Sequence, residues 1–464
     1  MTSSHHAVAL GGFRWSLDLD RCTVPRAVSL RSKLQRLEAP RLTAPAAASA
    51  PPAPRAATLD DLRQRIHAVL SRTAPPRPPP PVETVDLPFL SFETPLGPLH
   101  VRTLRLSPAH RTGRAPVLPA RGASREILSL LALDPSLAAS SPRGALYLDT
   151  ETTGLHGGTG TVAFLVGLAF WGDASEAGGG DLVVEQILVR NLGEEAPMLA
   201  RVAERIRAAS MIVTFNGKSF DVPLLRTRFT MARMPWPVEP PHLDLVHVAR
   251  RLHKLRGIEC RLTTLEREVL GFERVGDVPG GEVSECYLHF LRSGDAGALL
   301  GVIEHNAWDV VAMVALVGVY GEPLDASTLA PGDLVGVART LARAGEREQA
   351  FEIASRAVDA CDGDRPHALR ARAEISKARG DRARAMADFE ALAATVDDPC
   401  VRLELAKLYE HYVKAPDRAL AMTERGTGET AERQSRRHRR LAGKIERGAR
   451  GQKALFDEKT RRRR

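Results

Sequence analysis

Between Ala145 and Phe229 the chain alternates short apolar runs with longer amphipathic ones. Ala145–Leu148, Val162–Phe170, Leu182–Val189 and Met211–Phe215 are brief and rich in Val, Ile, Leu and Phe, the composition of buried strands. Glu194–Ala209 and Ser219–Phe229 instead carry helical spacing. Three strands before the first long helix, then a strand, then helices, predict an α/β domain whose mixed sheet is flanked by helices, rather than a purely parallel doubly wound one. Upstream, within residues 87–118, the β-like runs FLSFETPLG and PLHVRTLRL predict a hairpin leading into this core. From Leu262 onward the pattern is helical, broken at Gly276–Gly281 and Ser293–Gly294.

After Tyr320 the chain turns Ala/Arg/Glu-rich and helical, with an internal echo. Ala350, Ala354 and Ala357 follow Gly345, and Ala385, Phe389 and Leu392 follow Gly380, an offset of about 35 residues. ARAGEREQAFEIASRAV and KARGDRARAMADFEALA resemble the second-helix signature of tetratricopeptide repeats, and a weaker copy spans Val401–Met422. An ordinary helical bundle is the alternative. From Ala39 to Pro81 the chain is Ala/Pro-dominated, the composition of an extended linker, with one short helical pattern, Leu59–Leu70, inside it. The expected division is a mostly disordered N-terminal region and linker over 1–84, a catalytic domain over 85–320, a tetratricopeptide-like helical region over 321–430 and a basic tail over 431–464.

A length of 464 residues suits two or three domains. The formal charge of +9 is not spread evenly: residues 433–464 hold 14 basic and 3 acidic side chains, so the remainder is near neutral. Such a tail can attract phosphate, or it can be a solvated, disordered end. The five cysteines are scattered without Cys-x-x-Cys spacing, which predicts free thiols. With no run of about 18 uninterrupted apolar residues and no basic-then-apolar leader, the expectation is a cytoplasmic protein with no membrane partner.

The candidate chemistry lies at the end of the first apolar run, Tyr147-Leu-Asp149-Thr-Glu151-Thr-Thr-Gly-Leu155. Side chains alternate along a strand, so Asp149 and Glu151 face one way, and Gly154 lets the chain turn off immediately afterwards. Two carboxylates on one edge repel each other unless hard divalent cations with oxygen ligands, Mg²⁺ or Mn²⁺, lie between them. The string Asp-Thr-Glu-Thr-Thr-Gly-Leu resembles the first motif of the DEDD exonuclease superfamily. Asn216-Gly217-Lys218-Ser-Phe220-Asp221 resembles the second, in the form found in proofreading domains of family B polymerases. Glu304-His305-Asn306-Ala-Trp-Asp309 resembles the third. Within that superfamily the likeness is to the YprB-type RNase H-like domain, over about residues 85–320. One departure stands out: His305 lies four residues before Asp309, the spacing common for Tyr, and Glu304 occupies the five-residue spacing common for His.

The resemblance implies a 3′→5′ exonuclease that cleaves phosphodiesters of DNA or RNA with two divalent ions on Asp149, Glu151, Asp221 and Asp309. It casts His305 as general base, with a positioning histidine as the alternative. Thr152, Asn216, Lys218, Phe220 and Asn306 are the expected substrate contacts. For three of these a structural reading stands beside the functional one: Asn216 as a helix cap, Phe220 as core, Lys218 as surface. Asp244 reads as a helix N-cap rather than a fifth ligand, and His242, His247 and His253 as structural or surface residues. The competing functions are a nucleic-acid-binding scaffold with weak or no catalysis, whose helical repeats recruit a protein partner, and a structure-specific endonuclease on the same fold.

Overall fold

The computed structural model describes residues 86–154, 158–172, 180–360 and 365–462, with side chains to Arg450. The helical pattern at Leu59–Leu70 and the Pro-rich stretch lie outside these residues, as do Cys22 and Cys361; Cys260, Cys286 and Cys400 are free thiols.

The two runs upstream form a hairpin, β1 (Leu90–Thr94) and β2 (Gly97–Leu106), with Gly97 at φ +114° closing the turn. A small ribbon, β3 (Arg111–Thr112) and β4 (Ala115–Pro116), follows. Then come the strands of the core: β5 (Ala145–Thr152), β6 (Ala163–Trp171), β7 (Leu182–Leu188) and β8 (Met211–Thr214). A fifth core strand, β9 (His242–Asp244), is only three residues long. They make a seven-stranded mixed sheet in the order β1-β2-β7-β6-β5-β8-β9. β5, β8 and β9 run parallel; the other pairs are antiparallel.

Alternation along β5 assigns the two faces. Leu146 and Leu148 pack with Val166, Leu168 and Ile187 against the helix Ala196–Ala208 and against Leu224, Leu225 and Phe229 of the helix Asp221–Met231. Ala145 and Tyr147 face the other way, onto the helix Gly297–Tyr320. That helix is long and apolar enough to cross a bilayer by composition, but here it is a core helix, with Ile303, Val310 and Val314 fully buried. It carries its few polar residues at Glu304–Asn306 and Asp309, near the end of β5 that bears acids.

Beyond Tyr320 the chain forms antiparallel helices: Pro331–Ala344, Arg347–Ala360, Arg365–Arg379, Arg382–Thr395, Pro399–Leu408 and Pro416–Glu424. Gly345 and Gly380, at φ +100° and +90°, reverse the chain between the members of the first two pairs. The echoing residues Ala350, Ala354, Ala357, Ala385, Phe389 and Leu392 are all buried. Gly336 lets the first of these helices approach the α/β domain closely, since a methyl group there would overlap the backbone of Leu252.

The basic C-terminal segment is not an irregular coil: Ala431–Arg462 is a helix. Leu441 is fully buried, Arg440 and Lys444 donate to Glu410, and Arg437 to Glu429, while Arg436, Arg439 and Arg447 stay exposed. One apolar side chain and three cations are enough to dock an otherwise polar helix. Leu441→Ala is therefore expected to destabilise the helical array by about 2–3 kcal/mol, measured by urea unfolding; an unchanged midpoint would mean that the helix does not dock.

Candidate metal centre

β5 delivers the first two acids. Asp149 continues the face of Tyr147 and pairs across the sheet with Gly167; the β5–β6 register shifts at Glu151/Thr152, a bulge that ends regular pairing where the acids emerge. Thr150, between them, faces the other side and donates its hydroxyl to Asp221 Oδ1 at 2.6 Å. Asp221 opens the helix that runs to Met231 and reaches the end of the strands from that face. Asp149, Glu151 and Asp221 line one open cavity of about 600 Å³.

The turn that carries Asp221 is held by Asp244. Asn216 takes a left-handed conformation at φ +69°, tolerable for Asn, and a Cβ on Gly217 would clash with Thr214. Asp244 accepts from the backbone N–H of Asn216 (2.7 Å) and Lys218 (3.1 Å) and also caps the following helix through Val246 N. It is a cap and a clamp, with both oxygens occupied. Asn216, Thr152 and Phe220 line the cavity, and Phe220 is 56% exposed, which rules out the core reading of that ring. Asn216 does not cap the helix, whose N-cap residue is Phe220. Lys218 lies off the cavity lining, 3.9 Å from Asp134. Arg228 pairs with Glu195 and donates to the carbonyls of Thr159 and Thr161, tying down the glycine-rich rim of the cavity. His242 bonds Thr214 and His253 bonds Tyr320, both structural, while His247 is exposed.

The helix Gly297–Tyr320 brings the remaining groups. Asn306, expected at the nucleotide, is fully buried and corrects that expectation. Its Nδ2 donates to Asp149 Oδ2 at 2.9 Å, and its Oδ1 accepts from Gln186 Nε2 at 3.0 Å. Gln186 Nε2 also donates to the Ile303 carbonyl, and Gln186 Oε1 accepts from Arg102. A buried amide relay thus aims Asp149. It needs Gly167, because a methyl group there would overlap the Asn306 amide. Gly167→Ala is expected to displace Asn306 and impair any metal-dependent reaction more than it lowers the melting temperature; equal activity in the variant would refute the relay. Glu304, at the spacing common for His, points away and pairs with Arg102 at 2.6 Å.

Asp309 and His305 project together, with His305 Nε2 3.3 Å from Asp309 Oδ2. His305 Nδ1 lies 2.6 Å from Asp277 Oδ1. Arg274, almost wholly buried, pairs with Asp309, Glu266 and Asp277 and lies over the Trp308 ring. Neither Arg274 nor Asp277 was evident from the sequence: both sit in the irregular stretch after Leu270, where no periodicity or motif marks them.

Electrostatics define what this arrangement can hold. Burial, then the charges of Asp309, Glu151 and Asp221, push Asp149 well above the carboxylate range. Burial and Asp309 push Glu151 up to about 8, and burial raises Asp221 to about 6. Burial opposes the His305 imidazolium, yet Asp309, Glu151 and Asp277 outweigh it and raise that group. Four acids that repel one another in a partly dry site form a poor structure and a good cation receptor. Oxygen and nitrogen atoms of Glu151, His305 and Asp309 lie within 4.8 Å of one another, close enough to hold an ion.

The RNase_H_2 family model, described as RNase_H superfamily, matches residues 146–320, the segment from β5 through the core helix. The Bacillus subtilis (strain 168) protein named "Uncharacterized protein YprB" is 31% identical over 294 residues, 61% of this chain and 69% of that protein. The chain belongs to the family of that YprB protein, and its residues 146–320 form an RNase H superfamily domain. Its sheet order through β7-β6-β5-β8-β9 and its helices on both faces are those of an RNase H-like domain, with the β1–β2 hairpin added at one edge. Members of the RNase H superfamily are usually nucleases that use divalent metals, and the acids at the end of β5 fit that use.

Proposed function

We propose that this domain is a metal-dependent 3′→5′ exonuclease of the DEDD type, hydrolysing phosphodiester bonds of DNA or RNA. The observation that carries the reading is the meeting of Asp149, Glu151, Asp221 and Asp309 beside an open cavity whose lining includes the exposed Phe220. In this reading the four acids hold two divalent ions, Mg²⁺ or Mn²⁺. Such ions supply a water of lowered pKa and stabilise the leaving oxygen. Asn306 fixes the angle of Asp149, Thr150 that of Asp221, and Arg274 that of Asp309. Phe220 offers a face on which a terminal base can stack, and Asn216 and Thr152 supply polar groups at the rim. The cavity of about 600 Å³ has room for a nucleotide.

The helices beyond Tyr320 are read as tetratricopeptide-like, from the 35-residue echo and the buried small and apolar residues that follow each turn glycine, and as the surface that receives a protein partner. A cytoplasmic location completes the proposal.

The test is incubation of the full chain with 5′-end-labelled single-stranded DNA and RNA plus Mg²⁺ or Mn²⁺. A ladder shortening from the 3′ end is expected. A discrete internal cut would favour the endonuclease alternative, and no product with either metal would favour a scaffold.

A further inference from the structure

We propose that the C-terminal helix Ala431–Arg462 is a nucleic-acid contact in its own right, a row of arginines that holds the phosphate backbone of a duplex. The inference deepens the nuclease reading, on which its use rests, by naming duplex as the substrate class. Binding is measured apart from cleavage, so the two readings fail separately.

The helix is fixed to the protein by one side. Leu441 is fully buried, Arg440 and Lys444 donate to Glu410, and Arg437 donates to Glu429. At about 100° per residue, Arg436, Arg439, Arg447 and Arg450 fall within an arc of about 80° on the opposite side. All four are exposed. The row runs for about 21 Å, roughly six base-pair steps of a duplex. Gly443 stands in the middle of the arc, so no side chain interrupts the row there.

The outer half of this helix gains little support from the protein. Among the described residues, Arg439 and Arg447 have no acidic partner. Glu432 pairs with Arg436 and Glu446 with Arg450, but ion pairs this exposed contribute little and give way to a polyanion. Like charges three and four residues apart repel, Gly443 and Gly448 weaken a helix, and every residue of 446–450 is exposed. A polyanion lying along the row removes the repulsion.

The rest of that face decides what kind of polyanion fits. Its other positions, Glu432, Gly443 and Glu446, supply no large apolar side chain to anchor a protein and no aromatic ring to stack an unpaired base. Leu441 is turned into the protein, which leaves this side no apolar stripe to enter a lipid surface. What remains to be recognised is a line of charge, and duplex DNA, with one phosphate per about 1.7 Å of axis, is the dense and stiff match.

The experiment uses the full chain, a fluorescein-labelled DNA duplex and a chelator, with anisotropy read across salt concentrations. The row variant combines Arg436→Gln, Arg439→Gln, Arg447→Gln and Arg450→Gln. A control removes the same charge from exposed arginines of the α/β domain, by Arg125→Gln, Arg207→Gln, Arg267→Gln and Arg292→Gln. The slope of log affinity against log salt is expected to shrink by about 2 to 4 in the row variant and by less than about 1 in the control. Circular dichroism should stay the same, because Gln forms helix about as well as Arg. A readout that needs no variant is hydrogen exchange of the wild type, in which duplex is expected to protect the amides of residues 446–450. An unchanged slope in the row variant, an equal loss in the control, or unprotected amides with duplex bound overturns the proposal. Binding to anionic phospholipid vesicles without binding to duplex overturns it in favour of a membrane surface. Duplex binding through the row, with no cleavage when Mg²⁺ or Mn²⁺ is restored, sustains it and sinks the nuclease reading alone.

Discussion

Replacing Asp309 or Asp149 by alanine is expected to lower phosphodiester turnover by about 10³-fold or more, since a lost ligand removes several kcal/mol of transition-state stabilisation. The isosteric Asp149→Asn should remove the charge without weakening the metal-free fold. Asp149 is buried among Asp309, Glu151 and Asp221, whose charges all oppose its ionisation, so removing any one acid relieves the others. Asp149→Asn keeps the partner of the Asn306 amide in place and isolates the charge. The expected pattern is a variant at least as resistant to heat as the parent without metal, no longer stabilised by Mn²⁺, and inactive. A variant that unfolds early would instead make these acids structural; one that retains activity would place the reaction elsewhere.

Without metal, thermal stability is expected to fall as pH rises from about 4.5 to about 8. Folding raises Glu151 to about 8 and Asp221 to about 6, so through this window the folded chain binds more protons than the unfolded one. A raised carboxyl contributes stability that is complete below its unfolded value and is lost as pH climbs through its folded value. Divalent ions reverse the trend, because they bind the ionised form: at a hundred times the dissociation constant one ion adds about 2.7 kcal/mol. Melting curves across that pH range, with chelator and with Mn²⁺, should therefore diverge as pH rises. Parallel curves would mean that the acids neither repel one another nor bind the ion.

The strands of the core were legible because they are short, largely apolar runs, and the end of β5 because alternation puts Asp149 and Glu151 on the side of Tyr147. The hairpin was legible from its turn. What the chain concealed is irregular or short. β9 has three residues and exists through its parallel pairing with β8, and the helix Arg125–Ala132 fits within two turns, too brief for a period to register. Arg274 and Asp277 come from a stretch with no repeat, and only the packing of the Leu262–Leu270 turns against the core helix brings them to Asp309. Asn306 carries a motif position, yet its polar type suggested a ligand contact; Gly167 gives it room beneath the sheet, so it turns inward. The basic end became a docked helix because Glu410 and Glu429, from neighbouring elements, meet its cations, a complementarity visible only in three dimensions.

The proposed chemistry depends on divalent cations occupying the space among four acids. Diffraction from crystals soaked in Mn²⁺, collected at a wavelength where manganese scatters anomalously, tests that directly. Anomalous peaks are predicted within bonding distance of Asp149, Glu151, Asp221 and Asp309. A difference map with those carboxylates ordered and manganese found only elsewhere on the protein would contradict it.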